Sequence, residues 1–174
     1  MNAELLGRAL VEEATKKSAL IWVTGTGPCR ALWHVWHEGA ACLVGDGPGE
    51  QPLPGLPDQG RATVTVRSKD KGGRLVEWDA KVVELAPGSA AWQAAVAELK
   101  GKRLNAPDGE AMVERWAREC RVVRLEPLPE PVRTDFPAES LAAPPPATSA
   151  TTRVPLPAGV PRLLLRGRRR RRTP

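Results

Sequence analysis

Two short runs hold the residues whose types and spacing suit them to chemistry. From Arg30 to Gly39 the chain reads RALWHVWHEG, and from Val64 to Arg74 it reads VTVRSKDKGGR. In the first run His34 and His37 invite a metal-pair reading. On a strand, however, side chains alternate faces, so residues three apart point in opposite directions and hold no common ion without a bulge. Leu32, His34 and Trp36 share one face, and Trp33, Val35 and His37 the other. Each imidazole then reads first as a hydrogen-bonded strand residue. In the second run Arg67, Ser68 and Lys69 bring two cations and a hydroxyl to a strand end. That set suits a phosphate: a planar fork from Arg, a point charge from Lys and a short hydroxyl donor. Gly72-Gly73 beside it allows backbone to come close. The competing reading is a solvated hairpin tip.

A third pattern, GDGPGE from Gly45 to Glu50, resembles neither nucleotide fingerprint. No GK[ST] follows it, no helix opens after it, and no βαβ unit surrounds it. Nucleophilic catalysis has little support. Cys42 lies mid-strand without an evident base, no serine sits in an elbow motif, and the chain has no Tyr. The three cysteines, Cys29, Cys42 and Cys120, are odd in number and form no CxxC pair, so free thiols of a reducing compartment are expected rather than a disulfide frame or zinc site. An enzyme built on this chain would lean on a cofactor.

The elements that must position these residues are mostly strands. Leu5, Leu6, Ala9, Leu10 and Ala14 recur at helical spacing and open the chain. Strands are expected over 18–24, 29–37, 40–44, 61–68, 75–85 and 121–126, with a tight hairpin at Glu38-Gly39. Ser89 and Asp108 are expected to cap two helices between the last two strands. Gly45 to Gly60 holds five Gly and four Pro, which excludes a helix or strand interior and makes a long, functional loop the expectation. Six antiparallel strands with few helices point to a small barrel, whose closure removes sheet edges.

Charge separates two parts. Residues 1–126 carry 17 Lys/Arg and 17 Asp/Glu, while residues 127–174 carry nine Arg and three acids, so the whole excess of +6 lies in the second part. That part also holds eleven of the 18 prolines and none of the six Trp. The expectation is a folded domain over 1–126 and a disordered Pro/Arg-rich tail over 127–174. The domain has no net field to draw it to nucleic acid, and the five terminal arginines offer only non-specific phosphate contact. Acids near the N-terminus argue against a signal peptide and no run is long enough to span a bilayer, so a cytoplasmic protein is expected.

The hairpin R-x-L-W-H-V-W-x-x-G, the alternating strand from Ala62 to Ser68, the long strand from Leu75 to Leu85 and the late helices together resemble the split β-barrel flavin-binding superfamily typified by pyridoxamine 5'-phosphate oxidase. The resemblance covers roughly residues 3 to 126 and is nearest to small actinobacterial members of unassigned activity. It implies a six-stranded antiparallel split β-barrel with short flanking helices. It also implies a homodimer binding FMN or a deazaflavin at the subunit interface, with hydride or electron transfer at the ring. Carried over by position, it implies that Arg30 opens the flavin-contacting strand, followed by Trp33 and His34, and that Val44, Gly45 and Asp46 meet the flavin at the next strand's end. Where the family commonly has Ser followed by Arg or Lys as a phosphate clamp, this chain reads Glu50-Gln51-Pro52-Leu53 with no cation. Arg67, Ser68 and Lys69 are the candidates to replace that clamp.

The expected function is therefore a flavin- or deazaflavin-binding oxidoreductase-like protein of unknown substrate. The alternatives are a non-catalytic ligand-binding or structural barrel, with haem as one ligand held by His34 or His37, and non-specific nucleic-acid contact by the Arg-rich tail.

Overall fold

A computed structural model describes residues 3–69, 72–104, 106 and 108–136. A first helix, α1 (Ala3–Lys17), leads into six strands: β1 (Leu20–Thr24), β2 (Arg30–Trp33), β3 (Val35–His37), β4 (Ala40–Gly45), β5 (Arg61–Arg67) and β6 (Arg74–Glu84). Helices α2 (Ala90–Lys102) and α3 (Met112–Glu119) follow, and β7 (Arg121–Pro127) returns to the sheet. The protein is mainly β, a nearly closed antiparallel barrel with three helices.

Among the described residues the strands number seven where the sequence pattern gives six, because the run from Cys29 to His37 is broken at His34. Before the break, Arg30–Trp33 pairs with β1; after it, Val35–His37 pairs with β4. The sheet order is β2-β1-β5-β6-β7-β4-β3, so β2 and β3 are its two ends and His34 alone joins them. Changing partners at one residue is what bends the sheet round on itself. Glu38 and Gly39 both have positive φ, 45° and 74°, as the tight turn between β3 and β4 requires.

Alternation sorts the side chains into two cores. Ile21, Val23, Leu32, Val64, Val66, Trp78 and Val82 fill the barrel interior, with Trp36 packed edge-on to Trp78 at 6.2 Å. Val35, Cys42 and Val44 face outward instead, onto Trp92, Leu99 and Trp116 of the helices. Both faces of β4 are therefore covered, and all six of its residues are buried. Each large apolar side chain enclosed this way contributes about 1.5–3 kcal/mol. Burial also lifts the Cys42 thiol to about 11, which leaves it inert. Ser89 caps α2 by accepting from the Trp92 amide at 3.2 Å, as expected. Asp108 makes no side-chain cap: its carboxylate takes the Arg115 guanidinium at 2.6 Å instead.

The ordered chain continues past Glu126. Leu128 donates to the Asp79 carbonyl, Glu77 and Arg133 exchange backbone hydrogen bonds of 2.9 Å, and Val132 packs on the interior core. β7 pairs only with the second half of β6, from Ala80 to Glu84, leaving the first half an edge that residues 128–133 take up. A Pro-rich segment suits an edge, since the residues between prolines still donate. The expected boundary at 126 thus falls ten residues before Phe136, over whose ring the Arg74 guanidinium stacks at 4.5 Å. The rest of the expected tail, 137–174 with its arginine run, lies outside the described residues, as do Asp70 and Lys71 of the expected β5–β6 turn.

Candidate functional site

The barrel is closed at the His34 break by a side chain from the Gly/Pro loop. Gln51 accepts from the Trp33 amide at 2.9 Å and donates to the Trp33 carbonyl at 2.9 Å and the Val44 carbonyl at 3.2 Å. Its amide thus stands in for a strand between β2 and β4. A Cβ on Gly45 would fall 2.3 Å from the Gln51 carbonyl oxygen, so only glycine admits the loop here. The neighbouring Glu50 anchors the helices. Its buried carboxylate takes Arg103 at 3.1 Å, Arg115 at 3.1 Å and the Trp116 indole at 3.0 Å. The stretch where the resemblance would place a phosphate clamp is therefore occupied in holding the fold.

Beside this corner the C-terminal ends of α1 and α2 converge on the end of β2. They form a cleft of about 620 Å³ lined by Lys16, Lys17, Trp33, His34, Lys69, Lys102 and Arg103. No carboxylate stands among its described lining residues. Lys16 and Lys17 make exposed pairs with Glu12 and Glu13, each at 2.5 Å, which are worth little in water. Arg103 is held by Glu50 and lies 6.0 Å from the Trp33 ring. Lys69 and Lys102 make no ion pair among the described residues.

His34 is 4% exposed at the back of this cleft. One ring nitrogen, Nε2, lies 3.0 Å from the Thr15 carbonyl, which only accepts, so Nε2 carries the proton. Nδ1 is then a bare acceptor, and neither it nor the buried Thr15 hydroxyl has a partner among the described residues. Burial lowers the His34 pKa to about 4, so the ring is neutral at pH 7.

No family model matches this chain, and no curated protein matches it by sequence. Solved structures do. HutZ, the heme storage protein from Vibrio cholerae, is 9% identical, with a TM-score of 0.52 over 71% of this chain and 91% of that one. A conserved hypothetical protein from Mycobacterium tuberculosis is 15% identical, with a TM-score of 0.51 over 78% of this chain and 91% of that one. The FAD and heme binding protein from Mycobacterium smegmatis, 15% identical, aligns at 0.47 over 92% and 94%. At these identities the first two likenesses show the fold alone, a split β-barrel.

The residues singled out from the sequence do not form one group. Trp33, His34 and Lys69 meet in the basic cleft. Arg67 lies one pocket away, beside Lys17 and Lys69, with its guanidinium 4.2 Å above the Trp22 ring. Ser68 fixes the turn by donating its amide to the Gly73 carbonyl at 2.8 Å. Arg30 is exposed at the opposite end of β2, paired in register with Val23. Val44 is buried toward the helices, and Gly45 and Asp46 serve the loop. Asp46 accepts from the Leu53 amide at 2.7 Å and pairs with Arg121 at 3.0 Å. The sequence reading missed Lys16, Lys17, Lys102 and Arg103. Basic residues in a last helical turn are ordinary, because they offset the carbonyl end of the helix dipole. That two such turns converge is visible only in three dimensions.

Proposed function

We propose that this chain binds a phosphate-bearing flavin, FMN or a deazaflavin, in the basic cleft at the His34 break. The observation that carries the reading is the charge of the lining: five cations and no described carboxylate around a space within the roughly 300–1,000 Å³ of small-molecule sites. A flavin phosphate is a doubly charged anion, and Lys69 and Lys102, without an ion-pair partner among the described residues, would hold it. Trp33 offers an aromatic flank, and His34 Nδ1 accepts from a ligand hydroxyl or N–H. Arg103, fixed by Glu50, supplies the cation that the loop sequence lacks. A bound flavin accepts and returns hydride or electrons; the described residues bind and orient it and contribute no nucleophile. The reaction would be oxidoreduction of a small molecule.

Homodimerisation belongs to the same proposal. Leu104 on the cleft and Leu20 beside Trp33, 75% and 48% exposed, are apolar surface that a second copy would cover.

Fluorescence titration of the full chain with FMN and with a deazaflavin tests this reading. Saturable quenching that weakens steeply with salt and is competed by pyrophosphate supports it. No binding by either would leave the cleft as solvated basic surface and the protein as a barrel that does not use flavin.

A further inference from the structure

A second cavity borders the basic cleft, between α1 and the turn end of the β5–β6 hairpin. It encloses about 540 Å³ and shares Lys17, Ser18 and Lys69 with the cleft. Part of its wall is aliphatic: Leu10 and Ala14 come from α1 and Leu75 from β6, and no aromatic ring stands among its described lining residues. Leu10 and Leu75 are 41% and 49% exposed, so the described residues leave both in large part uncovered. Cations stand on the same lining. Lys17 is paired with Glu13, also a lining residue, and both are exposed. Arg67 and Lys69, from the end of β5 and the turn after it, make no ion pair among the described residues. The Arg67 guanidinium lies 4.2 Å above the Trp22 ring. Stacking engages the face of that plane and leaves its N–H groups, which lie in the plane, for a carboxylate. Exposed aliphatic side chains beside two cations without ion-pair partners suit a chain molecule with an anionic head. Glu13 limits the charge of that head, because its carboxylate repels one negative charge less than the two of a phosphate.

We propose that this cavity binds an aliphatic monocarboxylate, its chain against Leu10 and Leu75 and its carboxylate at Arg67 and Lys69. The inference does not rest on flavin binding. Leu10, Leu75 and Arg67 line this cavity and not the cleft, whereas Trp33, Lys102 and Arg103 line the cleft and not this cavity.

Isothermal titration calorimetry of the full chain, free of flavin, tests it with octanoate below its micelle concentration. Octanol keeps the chain without the charge, and acetate keeps the charge without the chain. The expected result is saturable binding of octanoate and at least about tenfold weaker binding of octanol and of acetate. Arg67→Ala and Leu75→Glu should each weaken octanoate binding at least about tenfold, with far-UV circular dichroism unchanged. Lys102→Ala, in the cleft, should leave octanoate affinity within about twofold while it weakens flavin binding. That arm keeps the two proposals apart: a chain that binds octanoate and no flavin sinks only the flavin reading, and the reverse result sinks only this one. The proposal is overturned if octanoate does not bind saturably, or if octanol binds as tightly. It is equally overturned if either folded groove variant leaves the affinity unchanged, or if Lys102→Ala abolishes it.

Discussion

Two charged corners meet at the end of α2 and share Arg103. In one, Glu50 is wholly buried and every charge is answered: its oxygens take Arg103, Arg115 and the Trp116 indole, and Arg115 also takes Asp108. In the other, Lys16, Lys17, Lys69 and Lys102 gather around Trp33 and His34 with no described carboxylate in the lining. The first arrangement completes itself within the described residues, whereas in the second Lys16 and Lys17 have only exposed partners in Glu12 and Glu13, and Lys69 and Lys102 have no ion-pair partner among the described residues. Matched charge marks architecture here, and the proposed ligand site is where charge is left unmatched. The largest effect that would break this contrast lies in the matched corner. Glu50→Ala strips Arg103 of its carboxylate, leaves Arg115 with Asp108 alone and removes the acceptor of the Trp116 indole, and urea unfolding should show a loss of about 3–5 kcal/mol. Glu50→Gln keeps an acceptor for Trp116 and should recover part of it. A loss below about 1 kcal/mol for the Ala variant would show that the corner does not hold the loop to the helices.

His34 sharpens the comparison because it is the titratable group at the back of the unmatched corner. Burial holds its pKa at about 4 against 6.5 in the unfolded chain; the Thr15 hydrogen bond opposes this, and the Lys102 charge adds to it. Between those values the unfolded state binds the proton and the folded state does not. Stability should therefore be full above pH 6.5, fall as pH drops toward 4, and lose about 3 kcal/mol across the window. Urea midpoints measured from pH 7 to pH 4 check this, and His34→Gln should lack that part of the slope. An anion bound in the cleft would raise the His34 pKa and flatten the curve. A curve unchanged by saturating ligand would place the ligand elsewhere.

Much of the barrel was legible in the sequence because it rests on local rules. Alternation from Ala62 to Arg67 and the Glu38-Gly39 turn are written in consecutive residues, and the structure keeps both. The break at His34 was not legible, since nothing in RALWHVWHEG marks where one strand changes partners. That depends on β1 and β4 lying next to opposite ends of the sheet order. Pro127, Pro129 and Pro131 read as tail by composition, yet Leu128 and Arg133 still donate to the free edge of β6. Of the candidate site, Trp33, His34 and Lys69 came from one strand end and one turn. Lys102 and Arg103 lie more than thirty residues further on, and only the packing of α2 brings them to the same cleft.

The smallest expected effect on stability separates the two corners most cleanly. Lys69→Ala and Lys102→Ala remove charges that no described group answers, so each should change unfolding free energy by less than about 0.5 kcal/mol. The same variants should weaken FMN or deazaflavin binding by about tenfold or more each, the scale of a hydrogen bond to a charged group. Arg30→Ala is the informative control. The family resemblance places Arg30 against the flavin, but here it lies at the far end of β2 from Trp33, roughly 10 Å along the strand at about 3.3 Å per residue. If affinity survives Arg30→Ala and falls with the lysines, the ligand occupies the cleft that the two helix ends build. If Arg30→Ala abolishes binding and the lysine variants do not, the unmatched corner is solvated surface, and charge balance does not distinguish ligand site from scaffold in this fold.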